Sequence, residues 1–117
     1  MQRTTSELMR GNLDLMVLSV ISEERRYGYS IQQRLTEVSA GLVKVQAGTL
    51  YPLLHKLEAE KLVRARWDKS TGRKRKWYEI TATGRRRLAH QASQWQQYAD
   101  CVRKLLEPVL QASPVSS

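Results

Sequence analysis

Phenylalanine is absent from this 117-residue chain, and cysteine occurs once, at Cys101. A lone thiol cannot close an internal disulfide. With only two histidines, His55 and His90, lying far apart in sequence, it forms no metal-ligand set either. Long hydrophobic runs are also missing. The longest apolar stretch, Leu13 to Ile21, is interrupted by Asp14 and Ser19, which excludes a membrane span. Glu7, Arg10 and Asp14 break what would be the apolar region of a secretory signal, so a cytoplasmic protein is expected. No glycine-rich phosphate loop, nucleophile elbow or pair of catalytic carboxylates can be found. Neither an enzyme nor a cofactor has support in the residues.

What is present suffices for one small core. Hydrophobic residues make up 41% of the chain, and the length fits a single domain with at most an added helix or tail. The charge is unevenly placed. Between Lys61 and Arg87 lie eleven basic residues against Asp68 and Glu79, so this segment carries the whole net charge of +9. Concentration of that kind is the footprint of a polyanion-binding surface, and nucleic acid is the expected partner. An anionic membrane is a poorer fit, because the segment lacks the apolar face of an interfacial helix.

Apolar spacing predicts a first helix over Ser6–Ser22, with Ser6 as its N-cap. Tyr27-Gly28-Tyr29 reads as a turn. A second helix is expected from Ser30, carrying Ile31, Leu35 and Val38 on one face and ending at Gly41. Leu42 to Val45 alternates like a short strand. A third helix follows over 47–61, with Leu50, Leu53, Leu54 and Leu57 inward and Pro52 in its first turns. Leu62–Trp67 and Lys76–Ile80 alternate as strands around the polar turn 68–73. Thr81 then caps a long helix reaching about Leu110. The result is a mainly α protein with a small β-hairpin. Its units are a winged helix-turn-helix over 6–80, a C-terminal dimerisation helix over 81–110 and a flexible tail over 111–117. In that architecture the third helix enters the major groove and the hairpin, or wing, touches the neighbouring backbone or minor groove.

Gln46-Ala47-Gly48-Thr49-Leu50-Tyr51-Pro52 opens the candidate recognition helix. Its free N–H groups and partial positive charge suit phosphates. Gln46 has the chemistry to read a base edge, Gly48 allows close backbone approach, and Thr49 and Tyr51 supply hydroxyls. Arg73-Lys74-Arg75-Lys76 sits at the wing, with Arg73 and Arg75 on one face and Lys74 and Lys76 on the other. An edge strand needs one or two such charges to prevent aggregation, not four in a row. Trp67, Trp77 and Tyr78 are expected to pack the sheet onto the helices, in preference to acting as stacking platforms for bases.

The last helix repeats apolar residues at coiled-coil spacing: Leu88, Trp95, Val102 and Val109, with Tyr98, Leu105 and Leu106 between them. Spanning ~40 Å, it outreaches a domain of this size. A second copy of the chain is the expected partner for its distal half. Two symmetry-related Trp95 rings either pack the seam shut or hold open a slot for a planar aromatic ligand, with Leu15 and Leu18 lining it and Asp14 as counter-charge for a cation.

The stretches Gly11-Asn12-Leu13-Asp14-Leu15, Tyr27-Gly28-Tyr29-Ser30-Ile31, Gly48 to Leu54, Lys56-Leu57-Glu58 and Gly72 to Tyr78, followed by Ile80-Thr81 and Gly84, occur in a characteristic order and spacing. Over Leu8 to Leu106 the chain resembles the PadR family of bacterial transcriptional regulators, in the subgroup with one dimerising helix. The resemblance implies a homodimeric winged-helix repressor that responds to an aromatic small molecule, with Trp95 where a ligand-sandwiching tryptophan lies. Combined with the pattern above, it gives a candidate DNA-contacting set. Tyr29, Gln46, Gly48, Thr49, Tyr51 and His55 belong to the helical side, and Lys69, Arg73, Lys74, Arg75 and Lys76 to the wing. The charge alone also suits an RNA- or ribosome-associated module, and a scaffold or a DNA binder without effector remain as further readings. The long heptad helix favours the symmetric DNA reader of a pseudo-palindromic operator.

Overall fold

The computed structural model describes residues 11–70 and 72–112. In chain order it comprises α1 (Leu13–Glu23), β1 (Arg26–Tyr27), α2 (Gly28–Val38), α3 (Ala47–Ala59), β2 (Val63–Asp68), β3 (Arg75–Ile80) and α4 (Ala82–Ala112). The three strands form an antiparallel sheet in the order β1-β3-β2. This is the mainly helical winged-helix architecture.

The core is aliphatic. Val17, Leu18 and Ile21 of α1, Ile31 and Leu35 of α2, and Leu50, Leu54 and Leu57 of α3 meet beneath the sheet, joined by Leu62, Val63 and Tyr78. Tyr78 is the largest fully buried side chain, filling the space a phenylalanine would occupy. Burial pushes its phenol pKa up. No polar or charged residue among those described is buried apart from that phenol-bearing ring.

Several sequence expectations need correction. The first described helix begins at Leu13 with Asn12 at its N-cap, and Ser6 lies outside the described residues. Tyr27-Gly28-Tyr29 is not a turn: Arg26 and Tyr27 pair with Tyr78 and Trp77 of β3, and α2 starts directly at Gly28, two residues before Ser30. The Arg26 guanidinium holds this entry, donating to the Val20 carbonyl and Ser30 Oγ while pairing with Glu23 and Glu24. Arg34 also bonds Glu23, and this pairing holds the Glu23 carboxyl below its ordinary range. Leu42 to Val45 forms no strand. Its alternation is real, with Val43 and Val45 buried, but α2 side chains satisfy its backbone: Gln32 Nε2 donates to the Val45 carbonyl (2.8 Å), Thr36 Oγ1 to that of Val43 (3.3 Å), and Ser39 Oγ accepts from Val43 N (2.8 Å). Pro52 lies inside α3, one turn later than the position where a missing N–H costs least.

The end of β3 is fastened to the corner between α3 and β2. The Leu62 carbonyl accepts from Thr81 N (3.0 Å), the Thr81 hydroxyl is shared between the carbonyls of Lys61 (2.8 Å) and Leu62 (3.1 Å), and Thr81 Oγ1 itself accepts from Gly84 N (2.9 Å). Thr81 is therefore the N-cap of α4. Gly84 presses so closely on the same corner that a Cβ there would lie 2.1 Å from the Leu62 carbonyl oxygen. From this junction α4 runs past the body, and the molecule measures 58 × 29 × 23 Å. Its radius of gyration is 17.1 Å, against about 13 Å for a compact chain of this length.

Replacing Gly84 by alanine is expected to lower stability by about 1–3 kcal/mol, because the obstructing atom is backbone and cannot rotate away. Urea unfolding of Gly84→Ala against the parent measures this. An unchanged midpoint would show that the junction tolerates a side chain.

Candidate nucleic-acid interface

Three segments converge on a groove of about 750 Å³ between α3 and the wing. The start of α2 contributes Tyr29, the exposed side of α3 contributes Tyr51 and His55, and the wing contributes Arg73, Lys74, Arg75 and Lys76 together with Trp67. Seven of the eleven candidate DNA-contacting residues thus line one surface. Gln46, Gly48 and Thr49 stand beside it at the open N-terminal end of α3, all exposed. Gln46 makes no side-chain capping bond, and nothing lies within 4 Å of a Cβ built on Gly48. Lys69 is exposed at the wing tip and does not line the groove.

The wing owes its shape to its turn. Asp68 accepts from Ser70 N (2.9 Å) and from the Trp77 indole N–H (3.1 Å), and these bonds, led by the backbone one from Ser70, hold its carboxyl below the ordinary range. Gly72 has φ +81°, the left-handed conformation that glycine adopts without strain, and its N–H closes on the Lys69 carbonyl (3.0 Å). Among the described residues no carboxylate lies within salt-bridge distance of Lys69, Arg73, Lys74 or Arg75. Lys76 has only a long contact of 3.8 Å with Glu58, and Arg66 pairs across the strands with Glu79 at 2.8 Å. The cations nearest the tip therefore carry uncompensated charge, with Lys74 over the Trp67 ring (4.5 Å) and Arg75 over the Tyr27 ring (4.8 Å).

Aromatic placement differs from the expectation that all three wing aromatics pack inward. Tyr78 does so. Trp77 is half-buried on the opposite face of the sheet, where it meets Tyr27 edge-on at 5.1 Å and 89°. Trp67 is 57% exposed, because the helical cover ends before the wing does. Tyr27 and Trp67 are groove residues that sequence reasoning did not assign. Alternation put Trp67 on the inward face, and only the length of α3 relative to the wing reveals that no core reaches it.

Tyr51 is fixed by a glycine. A Cβ on Gly28 would lie 2.1 Å from the Tyr51 hydroxyl oxygen and 2.6 Å from the ring carbon bearing it. The absence of a side chain at the start of α2 is what lets the Tyr51 ring lie across it.

Other candidate residues lie elsewhere. Leu18 is buried in the core and is unavailable to line a surface slot. Asp14 is engaged by Lys56 at 3.2 Å, so it is not a free counter-charge. Leu15 is half-buried on α1. Leu88 packs on the protein's own core, whereas Trp95, Tyr98, Leu105, Leu106 and Val109 are exposed along α4 and Val102 is partly so. The helix extends through Ala112, so residues 111 and 112 are helical and not tail; 113–117 lie outside the described residues.

The sequence pattern of the transcriptional regulator PadR-like family matches residues 17–90, from the middle of α1 through the wing into α4. The chain belongs to this family. A PadR family regulator from Eggerthella lenta has a similar solved structure, with 38% identity, a TM-score of 0.73, and coverage of 86% of this chain and 82% of that one. A PadR-like regulator from Bacillus cereus superposes with TM-score 0.76 at 34% identity, covering 86% and 96% of the two chains. A transcriptional regulator of Mycobacterium tuberculosis is 34% identical over 82 residues, 70% of this chain and 74% of its own. This PadR-like protein is accordingly a transcription regulator of DNA-binding type and not an enzyme. Family members bind DNA and typically dimerise. No helix among the described residues is long and apolar enough to cross a membrane.

Gly28→Ala should displace the Tyr51 ring and cost about 1–3 kcal/mol. Adding Tyr51→Ala should recover most of that loss, since the obstructing ring is then gone. Thermal melts of the parent, both single variants and the double variant check this. Strictly additive losses would count against the contact.

Proposed function

We propose that the protein is a homodimeric, sequence-specific repressor of the cytoplasm that binds a pseudo-palindromic operator and is relieved by a planar aromatic effector. The observation that carries the DNA reading is that Tyr51 and His55 of α3 line one groove with the wing cations Arg73 to Lys76, beside the exposed N-terminus of α3. With α3 in a major groove, Gln46 and Thr49 face base edges, while Arg73 to Lys76 reach phosphates. The purified protein should retain a duplex selected from a random pool in a gel shift far better than a structured RNA of equal length. Equal affinity for both at physiological salt would favour the RNA-associated reading instead.

Reading and positioning separate in a salt titration. Arg75→Ala or Lys76→Ala should weaken binding to selected and random duplexes alike and reduce the salt slope by about 0.9 per lost phosphate contact. Gln46→Ala or Thr49→Ala should instead narrow the gap between selected and random DNA. Wing variants that bind random DNA as the parent does would remove the wing from the interface.

Support for the homodimer comes from the apolar surface that α4 leaves exposed beyond the body, Leu105 being 72% accessible. A symmetric pairing of α4 would set half-sites about 34–36 Å apart or a multiple of that. Charged substitutions at both Val102 and Leu105 would bury unpaired charge in that seam, at a cost of several kcal/mol. They should yield monomers in sedimentation and abolish operator binding. A persisting dimer would place the seam elsewhere.

The effector reading rests on Trp95, which is 49% exposed on the same helix. Leu18 is buried and Asp14 is engaged by Lys56, so of the proposed lining Trp95 and the half-buried Leu15 remain. Phenolic acids and planar cationic dyes should quench the parent more than Trp95→Ala, and operator should lower their affinity. Equal quenching in both proteins would leave a DNA binder without effector.

A further inference from the structure

Cations alone do not account for the composition of the groove between α3 and the wing. Trp67 lies on the sheet face that carries Val63, Ala65, Tyr78 and Ile80, paired in register with Lys76. Its neighbours on that face are turned to the core, yet the indole is 57% exposed. A large apolar ring held in water contributes little to the fold. Two ammonium groups attend it: Lys74 Nζ lies 4.5 Å and Lys76 Nζ 5.8 Å from the ring centroid. Lys76 belongs to β3 and Lys74 immediately precedes it.

Duplex geometry constrains what passes through here. If α3 occupies a major groove and the wing meets the adjacent minor groove, the strand dividing those two grooves runs between α3 and the wing. Such a strand alternates anionic phosphates with deoxyriboses, whose C–H faces are apolar. The groove offers the complementary combination, an indole beside two lysines on the wing and Tyr51 on α3.

We propose that Trp67 is a sugar-stacking positioning residue: its indole takes the deoxyribose of one nucleotide in the strand dividing the two grooves, while Lys74 and Lys76 leave the ring for the flanking phosphates. This rests on the DNA-binding reading and adds to it a seat for one backbone residue. In the free protein the cation–π contacts hold the two ammonium groups beside the ring. On binding, phosphate is the stronger partner for them, and the vacated indole face is covered by the sugar. Trp67 fixes how deep the duplex sits and reads no base, because every nucleotide presents the same sugar.

The test uses the full chain and a labelled duplex that it selects from a random pool. Anisotropy titrations at several salt concentrations compare the parent with Trp67→Ala, Trp67→Phe and Lys74→Ala. Trp67→Ala should lose about tenfold in affinity on selected and random duplexes alike, with the salt slope unchanged. Trp67→Phe should keep most of the affinity, and Lys74→Ala should lower the slope by about 0.9. Single 2′-O-methyl substitutions scanned along each strand add bulk to one sugar at a time. At one position in each half-site they should weaken the parent and leave Trp67→Ala unaffected. Trp67→Ala binding as tightly as the parent would overturn the proposal, as would a Trp67→Ala loss that lowers the salt slope. So would a scan that weakens parent and variant alike at every position. A parent that selects no duplex and shows no salt-dependent binding would instead overturn the DNA-binding reading on which the proposal stands.

Discussion

The carbonyl oxygen of Leu62 is the point on which the rest of the molecule is hung. It sits at the corner where α3 gives way to β2, and it accepts from both the backbone and the hydroxyl of Thr81. The residue that follows β3 and the first turn of α4 are therefore referenced to the end of α3. Gly84 allows the backbones to close to this distance, since any side chain would strike the same oxygen. The junction ties the wing, α3 and the start of α4 together at one corner, and Leu88 packs α4 onto the core one turn further on. The direction in which α4 leaves the body has to be held firmly, because error at the junction grows along a helix of ~46 Å.

Around this junction the chain separates cohesion from recognition. The interior is almost wholly aliphatic, with Tyr78 as its one large ring, and the polar ties run along its edges. Arg26 and Arg34 lock α1 to α2 through Glu23, and Gln32 and Thr36 hold the loop before α3 in place of a strand. Among the described residues Lys69, Arg73, Lys74 and Arg75 are left without a carboxylate partner, and mutual repulsion among Arg73, Lys74 and Arg75 is tolerated at a tip where solvent screens it.

Much of this was legible from residue order. Helical spacing placed α2, α3 and α4, alternation placed β2 and β3, and Thr81 was recognisable as a cap because a polar residue preceded a long periodic run. What could not be read depended on contacts between distant residues. The two-residue strand β1 has no pattern of its own and exists only because Tyr78 and Trp77 stand beside it. Leu42 to Val45 carried the alternation of a strand, but alternation reports which side chains are buried and is silent on which groups bond the backbone. The exposure of Trp67 and the engagement of Asp14 by Lys56 are likewise matters of reach between elements. Burial of Leu18 was implicit in the breadth of the apolar face of α1, which left no side of that residue for a ligand.

Pro52 has a consequence for the chemistry of the surface that α3 presents. Proline has no N–H, so the Gly48 carbonyl, four residues earlier, lacks the donor that the helix would ordinarily supply. The opening turn of a helix usually shows only donors to its surroundings. Here one carbonyl of that turn, directed along the axis toward the Pro52 ring, is left without its intrahelical donor. Any other residue at position 52 would supply the missing N–H, so the polarity of the first turns of α3 is set by that one ring.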